Sequence, residues 1–403
     1  MSAARRRPGW ARLGILVAAL ALLATACGDK PLDTMDPAGP EAQSIKDLIV
    51  PIFIIAGIVF VLVQGAVIAL WWKFRVDEPE DPADERPGTY ADDEFPDQVH
   101  GNLNLEIAWT IIPTVLLAVI SVFTLITLFD LDGVDAADDD LRITVVGQQW
   151  WWEFQYHLDG NTDTPPDFVT ANEMVIPVDQ QVPLLITSRD VIHSFWIPRL
   201  NGKQDAVPGS EFEWVVEASE IGDFAGQCTE FCGLSHGYMR MFTNAVEPAE
   251  FEAWAAEQVQ SAPLLDEADE GFEGQQVFLA NCASCHIITG VTSHVDADGD
   301  NLADVDTWDV YDGANKIVDP AILTAGVAPN LTHLMSRNTY AGSFFDLYDD
   351  DGNVNRAELE EWVFNAPEQK PNNPENRQGM TSFVGVLTAE QLDDVVDYLE
   401  TLE

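Results

Sequence analysis

The sequence predicts a multidomain membrane protein: a two-helix transmembrane hairpin, then an all-β sandwich or barrel, then an all-α domain. Three observations predict it. Two uncharged, mostly apolar runs occupy 48–72 and 107–129, each long enough to cross a hydrocarbon core as a helix. Short β-prone runs separated by turn residues fill 141–247, the texture of sheet proteins. Helical patterns then return from 271 onward.

Residues 1–26 read as a secretory signal peptide: Arg5, Arg6, Arg7 and Arg12 precede "LGILVAALALLATA", which ends in small residues before Cys27. "LLATAC" also resembles a lipoprotein signal, which makes Cys27 a lipid-modified first residue, although Ala24 stands where Leu is usual. The hairpin covers 45–130. Lys73, Arg75 and Arg86 lie between its spans, and basic residues near span ends mark the cytoplasmic side. Everything after residue 130 is then extracytoplasmic. The β-rich domain covers 141–250, with runs such as "LRITVVG", "WWWEFQY", "VPLLITS" and "EFEWVVEA". Across 251–270 the helical stretch "PAEFEAWAAEQVQ" gives way to the linker "SAPLLDEADEG". In the last domain, 271–403, Thr388 and Gln391 have the spacing of a capping box. Leu392, Val395, Val396 and Leu399 then fall on one helical face.

The chain carries 68 Asp and Glu against 19 Lys and Arg, a formal charge of −49. That excludes a nucleic-acid binder, because phosphate contact needs a basic face. Residues 262–403 alone hold 28 acids and 5 bases. Such a field steers a basic protein partner; the competing reading is a surface adapted to high salt. Of 5 cysteines, four fall in two short stretches, which argues for chemistry at each rather than a disulfide framework.

The first stretch is "GQCTEFCGLSHGYMRM", 226–241. Its spacing, C-x3-C-x3-H-x2-M, sets out Cys228, Cys232, His236 and Met239. Thiolates, imidazole and thioether form a soft set that favours copper. Zinc accepts two Cys and one His but does not normally recruit Met. A disulfide is sterically open and leaves the His and Met without a reason. One blue copper needs a single Cys with two His, whereas two thiolates four apart suggest bridging between two metals. "VIHSFWIP" supplies a further imidazole, His193.

With His193 included, the pattern resembles subunit II of the haem–copper cytochrome c oxidases, which carries a dinuclear CuA centre on a cupredoxin-like Greek-key barrel after a two-helix hairpin. The resemblance implies bridging thiolates at Cys228 and Cys232, and one copper ligated by each of His193 and His236. It implies a weak axial ligand at Met239 and a backbone carbonyl ligand from Glu230. The Glu230 side chain would also help hold Mg²⁺ at the contact with subunit I. "GQQWWWEFQY" looks like the family's tryptophan-rich strand, with Trp150 as the aromatic through which electrons enter; the plainer reading is that these tryptophans fill the barrel surface. "LEIAWTIIP" opens the second span as in the family, and Glu106 looks like the carboxylate at the mouth of a proton path. A carboxylate at a membrane border is costly enough to suggest function, with interfacial anchoring as the alternative.

The second stretch, "NCASCH" at 281–286, contains C-x2-C-H, the attachment motif for haem c. Cys282 and Cys285 would bind the haem covalently and His286 would ligate its iron. The region resembles a class I cytochrome c domain, with "APNLTHL" as the segment that places Pro329 beside His286. A Met as sixth ligand raises the potential into the range of an electron carrier. Met380, shortly before the final helix, stands where the family keeps it, and Met335 is read as packing. Two acidic insertions look calcium-like: Asp296, Asp298, Asp300 and Asp304, and then Asp349, Asp351, Asn355 and Glu358 around Gly352. In the second, Leu347 occupies the first EF-hand position and cannot ligate. His100, His157, His294 and His333 have no spacing partner and are expected on the surface or in loops.

The expected protein is the electron-transfer subunit of a terminal cytochrome c oxidase in a bacterial cell membrane. Electrons from cytochrome c, or from a cytochrome bc complex, would pass by haem c and CuA to subunit I. There O₂ is reduced with proton pumping, and subunit III and membrane lipid are further partners. The alternatives are the CuA subunit of a nitric-oxide reductase and a copper-delivery lipoprotein.

Overall fold

The computed structural model describes residues 31–74, 101–131, 141–292, 311–312, 316–317, 328–373 and 378–403. Two compact units form, one of residues 44–133 and one of the rest. The signal segment, Cys27, Arg75, Arg86, His100, His294 and the insertion with Asp296, Asp298, Asp300 and Asp304 fall outside the described residues.

The smaller unit is built on α1 (Pro40–Phe74) and α2 (Leu103–Leu131). Both are long and apolar enough to cross a membrane. In α2 the hydroxyls of Thr110, Thr114, Ser121 and Thr124 each donate to the carbonyl four residues earlier, at 2.7–2.9 Å. Without water, polar groups in a span must be satisfied from within it, and these are. Glu106 serves the helix start: its Oε1 accepts from the Asn102 amide at 3.1 Å, while Asn102 Oδ1 accepts from Leu105 N at 3.2 Å.

The larger unit opens with ten strands: β1 (Arg142–Gln148), β2 (Trp151–His157), β3 (Phe168–Ala171), β4 (Glu173–Pro177), β5 (Val182–Ser188), β6 (His193–Trp196), β7 (Lys203–Ala206), β8 (Phe212–Val216), β9 (Gly222–Gln227) and β10 (Arg240–Val246). They form a sheet of order β3-β2-β1-β5-β8, a sheet of order β4-β10-β9 and the hairpin β6-β7. The pairs β1/β5 and β4/β10 are parallel, and the other pairs are antiparallel. Parallel pairing between non-consecutive strands requires chain crossovers, as in a Greek key.

Strand alternation explains the core. In β2, Trp152, Phe154 and Tyr156 point one way into a fully buried cluster with Ile143, Val145 and Phe195. The opposite face carries Glu153 and Gln155, also buried: the Gln155 amide donates to Glu153 Oε1 at 2.6 Å and Arg189 pairs with Glu153 at 2.7 Å, while Gln155 Oε1 has no partner among the described residues. The tryptophans therefore do not dress the barrel surface: Trp150, Trp151 and Trp152 are all buried. His157, expected in a loop, ends β2 and is buried, with Nε2 3.4 Å from Thr144 Oγ1. Burial holds it below the usual imidazole range, against the pull of Asp167.

Helix α3 (Pro248–Gln258) follows the barrel. The linker beyond it is tied down: Leu265 N donates to Gln275 Oε1 and Ala262 N to the Thr289 carbonyl, at 3.0 and 2.9 Å. The helical domain packs α4 (Phe272–Asn281), α5 (Arg356–Gln369) and α6 (Ala389–Leu399) around Phe278, Leu359, Val363, Val395 and Tyr398. Gly274 of α4 lies against the Asp394 carbonyl and Tyr398 of α6, an approach no larger residue permits. The capping box at Thr388 and Gln391 is present, with reciprocal bonds of 3.2 and 3.1 Å. His333, the other histidine expected at the surface, is buried because its Nδ1 and Nε2 face the carbonyls of Glu403 and Gln260 at 2.7 and 3.0 Å.

Candidate metal centre

The cluster forms where β6 and the loop after β9 meet. That loop is held at both ends: Cys228 N donates to the Met239 carbonyl at 3.0 Å, continuing the β9/β10 ladder, and a 3₁₀ turn spans His236–Tyr238. Two glycines make room. Gly147 faces the His193 ring, where a Cβ would come within 2.9 Å of it. Gly233, at φ +118°, packs where a Cβ would stand 2.9 Å from Gln149 Nε2 and 3.1 Å from the Trp150 ring. A side chain at either place would push the ligand loop away from the barrel.

The five residues picked out by residue type and spacing, and Glu230, which the family resemblance implied, are brought together. The sulfurs of Cys228 and Cys232 lie 3.8 Å apart, too far for a disulfide. His193 Nδ1 lies 3.9 Å from Cys228 Sγ and His236 Nδ1 3.5 Å from Cys232 Sγ. Met239 Sδ is 3.9 Å from Cys232 Sγ, and the Glu230 carbonyl oxygen 3.3 Å from Cys228 Sγ. His193, both cysteines and Met239 are buried, His236 is half-buried, and the Glu230 side chain is exposed.

The electrostatics ask for cations. Cys228 is held toward its thiolate because Cys232 donates to it, while that same bond and burial push the Cys232 thiol up. Two buried thiolates this close cannot both form without added positive charge. Burial opposes charge on His193, yet the bonds to Asp190 and Cys228 outweigh it and raise its pKa. Asp190 Oδ1 accepts from His193 Nε2 at 2.8 Å, which orients the ring and leaves Nδ1 facing the sulfurs. The soft donors fit copper, and the carboxylate behind the imidazole is the usual support of a metal-binding histidine.

The second centre is built on the end of α4. Cys282 is buried and Cys285 exposed, and burial pushes the Cys282 thiol up to about 12. His286 Nδ1 donates to the Pro329 carbonyl at 2.8 Å, which leaves Nε2 available as a ligand atom. Burial keeps His286 below the usual imidazole range, outweighing that bond, which favours the neutral ring that metal ligation uses. Met380 is half-buried on a segment fixed by the Asn372 amide, which donates to its carbonyl at 2.8 Å. Met335 packs in the domain core, 3.9 Å from the Tyr348 hydroxyl.

The acidic loop around Gly352 closes on itself. Asp349 Oδ1 accepts from the amides of Asn353 and Asp351 at 2.8 and 2.9 Å, bonds that hold its carboxyl below the usual range. Leu347, at the first EF-hand position, is buried in the core.

Two contributors escaped the sequence. Asp190 lies only three residues before His193, a D-x-x-H spacing that could have been read as a ligand with its support. Lys370, from the helical domain, reaches the Trp150 carbonyl at 3.2 Å. Nothing local announces that contact.

Comparison with known proteins agrees along the chain. Residues 31–126 match the profile of the cytochrome c oxidase subunit II transmembrane domain, and 141–246 that of its periplasmic domain. Residues 272–403 match cytochrome c. Cytochrome c oxidase subunit 2 of Alkalihalophilus pseudofirmus is 36% identical over 278 residues, 67% of this chain and 75% of that one. The same subunit from a Bacillus species is 28% identical over 406 residues, 97% of each chain. Among solved structures, the periplasmic domain of subunit II from Bradyrhizobium japonicum is 32% identical, covering 30% of this chain and 95% of that one, with a TM-score of 0.27.

Proposed function

The chain belongs to the cytochrome c oxidase subunit II family, and from that premise we propose how its residues serve the electron path. It is an electron-transfer subunit of a membrane oxidase, with its copper and cytochrome c domains extracytoplasmic. The nitric-oxide reductase and copper-delivery readings give way to it.

In our reading Cys228, Cys232, His193, His236, Met239 and the Glu230 carbonyl would together hold two coppers. Cys282 and Cys285 attach one haem, with His286 and Met380 on its two faces. When bound, the copper pair and the haem each hold and release one electron. The protein's part is to keep these sites rigid and closed. With the sulfurs buried and His193 oriented by Asp190, the donors of the chain itself would occupy the copper pair and leave it to carry electrons without bond chemistry. The observation that supports this most is the convergence of two imidazoles, one thioether and one carbonyl around two sulfurs 3.8 Å apart.

Trp150 supports a role in the route, because its indole N–H donates to the Cys232 carbonyl at 3.1 Å and its ring is covered by protein. The exposed Glu230 carboxylate is free to hold Mg²⁺ against subunit I. Glu106 is read as the mouth of a proton path that also caps its helix. Lipidation at Cys27, a cytochrome c or cytochrome bc donor and subunit III complete the reading, with O₂ reduced and protons pumped by subunit I. Copper and haem analysis of the purified oxidase tests it: two coppers and one haem c per chain beyond the metal held by subunit I, with a seven-line mixed-valence copper signal, are expected. A copper-loaded protein without that signal would sink the dinuclear assignment.

A further inference from the structure

The cytochrome domain meets the copper domain at several places. Gln378 Nε2 donates to Gln149 Oε1 at 2.8 Å, the Ser235 hydroxyl donates to the Pro371 carbonyl, and Phe344 packs on Tyr238 and Arg240. One turn and one lysine lie against Trp150. Ala341, Gly342 and Ser343 have φ of +55°, +80° and +52°, a run in the left-handed region that L-residues rarely adopt. This turn lies directly on the barrel. Arg240 N donates to the Gly342 carbonyl at 2.9 Å, and a Cβ on Gly342 would stand 2.9 Å from the carbonyl oxygens of Trp150 and Tyr238.

Lys370, which follows α5, bridges the same place. Its Nζ donates to the Ala341 carbonyl at 2.8 Å and to the Trp150 carbonyl at 3.2 Å, and the residue is 6% exposed. Burying an amine is costly unless its hydrogen bonds are met, and an apolar chain of similar length would fill the space without that cost. Burial pushes the ammonium down to about 7. In either protonation state the amine keeps two N–H donors, so the bridge does not depend on its charge.

We propose that Lys370 is the positioning residue for electron transfer between the two centres, clamping the cytochrome domain onto the backbone of Trp150. The contacts then run without a break from Ala341 through the Lys370 amine to Trp150, and from the Trp150 indole to Cys232. With both groups bound, this contact would hold the two domains in place for a one-electron transfer from reduced haem to oxidised copper, an exchange that makes and breaks no bond. This rests on the assignment of the two centres given above.

The test uses the intact oxidase carrying K370M or K370R. Three readouts are followed: the copper and haem spectra, amide exchange over 339–343, and electron transfer from haem to copper after flash reduction of the haem. In K370M both spectra are retained, the segment exchanges faster, and transfer slows by roughly tenfold, the scale of one hydrogen bond lost from a docked state. K370R, which keeps the donors, stays within about threefold of the parent, well under the factor of ten that one such bond carries. Exchange over 339–343 is also measured in the metal-free chain, where K370M speeds it regardless of activity. If K370M fails to assemble, K370Q, whose amide falls short of Trp150, decides by the same readouts. Transfer at the parent rate overturns the proposal, and so does equal slowing in K370M and K370R, which would assign the effect to packing. A parent lacking the mixed-valence copper signal overturns the centre assignment and this inference with it.

Discussion

Asp190 Oδ1 accepts a 2.8 Å hydrogen bond from His193 Nε2, so a carboxylate selects which imidazole nitrogen faces the sulfurs. The same carboxylate accepts from the Gln149 amide at 2.7 Å, which joins the ligand to the strand end that carries Trp150. Removing it in D190A is expected to weaken copper binding by about 10–100-fold, the usual effect of losing a histidine's support. Chelator competition measures this; unchanged affinity would show that the ring is oriented by packing alone.

Trp150 can be separated from its ring. W150F keeps an aromatic side chain and deletes the N–H that bonds the Cys232 carbonyl at 3.1 Å. The expected outcome is an unchanged copper signal with haem-to-copper transfer slowed by about tenfold, as for one lost hydrogen bond. Transfer at the parent rate would remove Trp150 from the route.

Glu173 gives the docked domains a pH dependence. Its Oε1 accepts from Thr339 N, Thr339 Oγ1 and Asn338 N at 2.6, 2.6 and 2.9 Å, and the residue is buried. Burial raises its pKa above the ordinary 4.5, while the bonds from Thr339 and Asn338 and the charge of Arg337 pull it down. An acid whose pKa is raised in the docked form holds its proton there after the free form has lost it. Docking is therefore strongest below about pH 4.5 and weakens as pH rises through the docked value. Exchange over 339–343 between pH 4 and 8 should follow that trend in the parent and lose it in E173Q, which keeps an acceptor. E173A strands the donors and should cost about 1–3 kcal/mol of stability.

Arg356 binds Glu360, Asp393, Asp397 and Glu400 at 2.9, 2.6, 2.6 and 3.1 Å, joining α5 to α6. The partners are partly exposed, so each pair is worth well under 1 kcal/mol. Their value lies in offsetting a cluster of four carboxylates. R356Q should lower Tm by a few degrees at low salt, about 1 kcal/mol in all, and much of that loss should vanish in 1 M salt. A Tm shift that ignores salt would refute the electrostatic account.

Much of the site was legible because its donors sit on one loop. Cys228, Cys232, His236 and Met239 are neighbours in sequence, and a loop that short keeps them close in almost any fold. The two spans were legible from hydropathy, and the final helix from Thr388, Gln391 and its apolar face. His157 and His333 were misplaced for the complementary reason: neither has a spacing partner, and burial at a strand end or beneath the chain terminus leaves no local mark.

By itself the sequence determined what chemistry the chain can hold: soft ligands at metal spacing, a haem attachment motif and two spans. Each is a pattern of near neighbours, set by covalent reach and by side-chain hydrophobicity. Only the tertiary structure decided how these parts address one another. Trp150 and Lys370 stand 220 residues apart, and Glu173 meets Thr339 across 166. Such contacts are selected by shape, burial and the need to satisfy every buried polar group, and no periodicity along the chain records them.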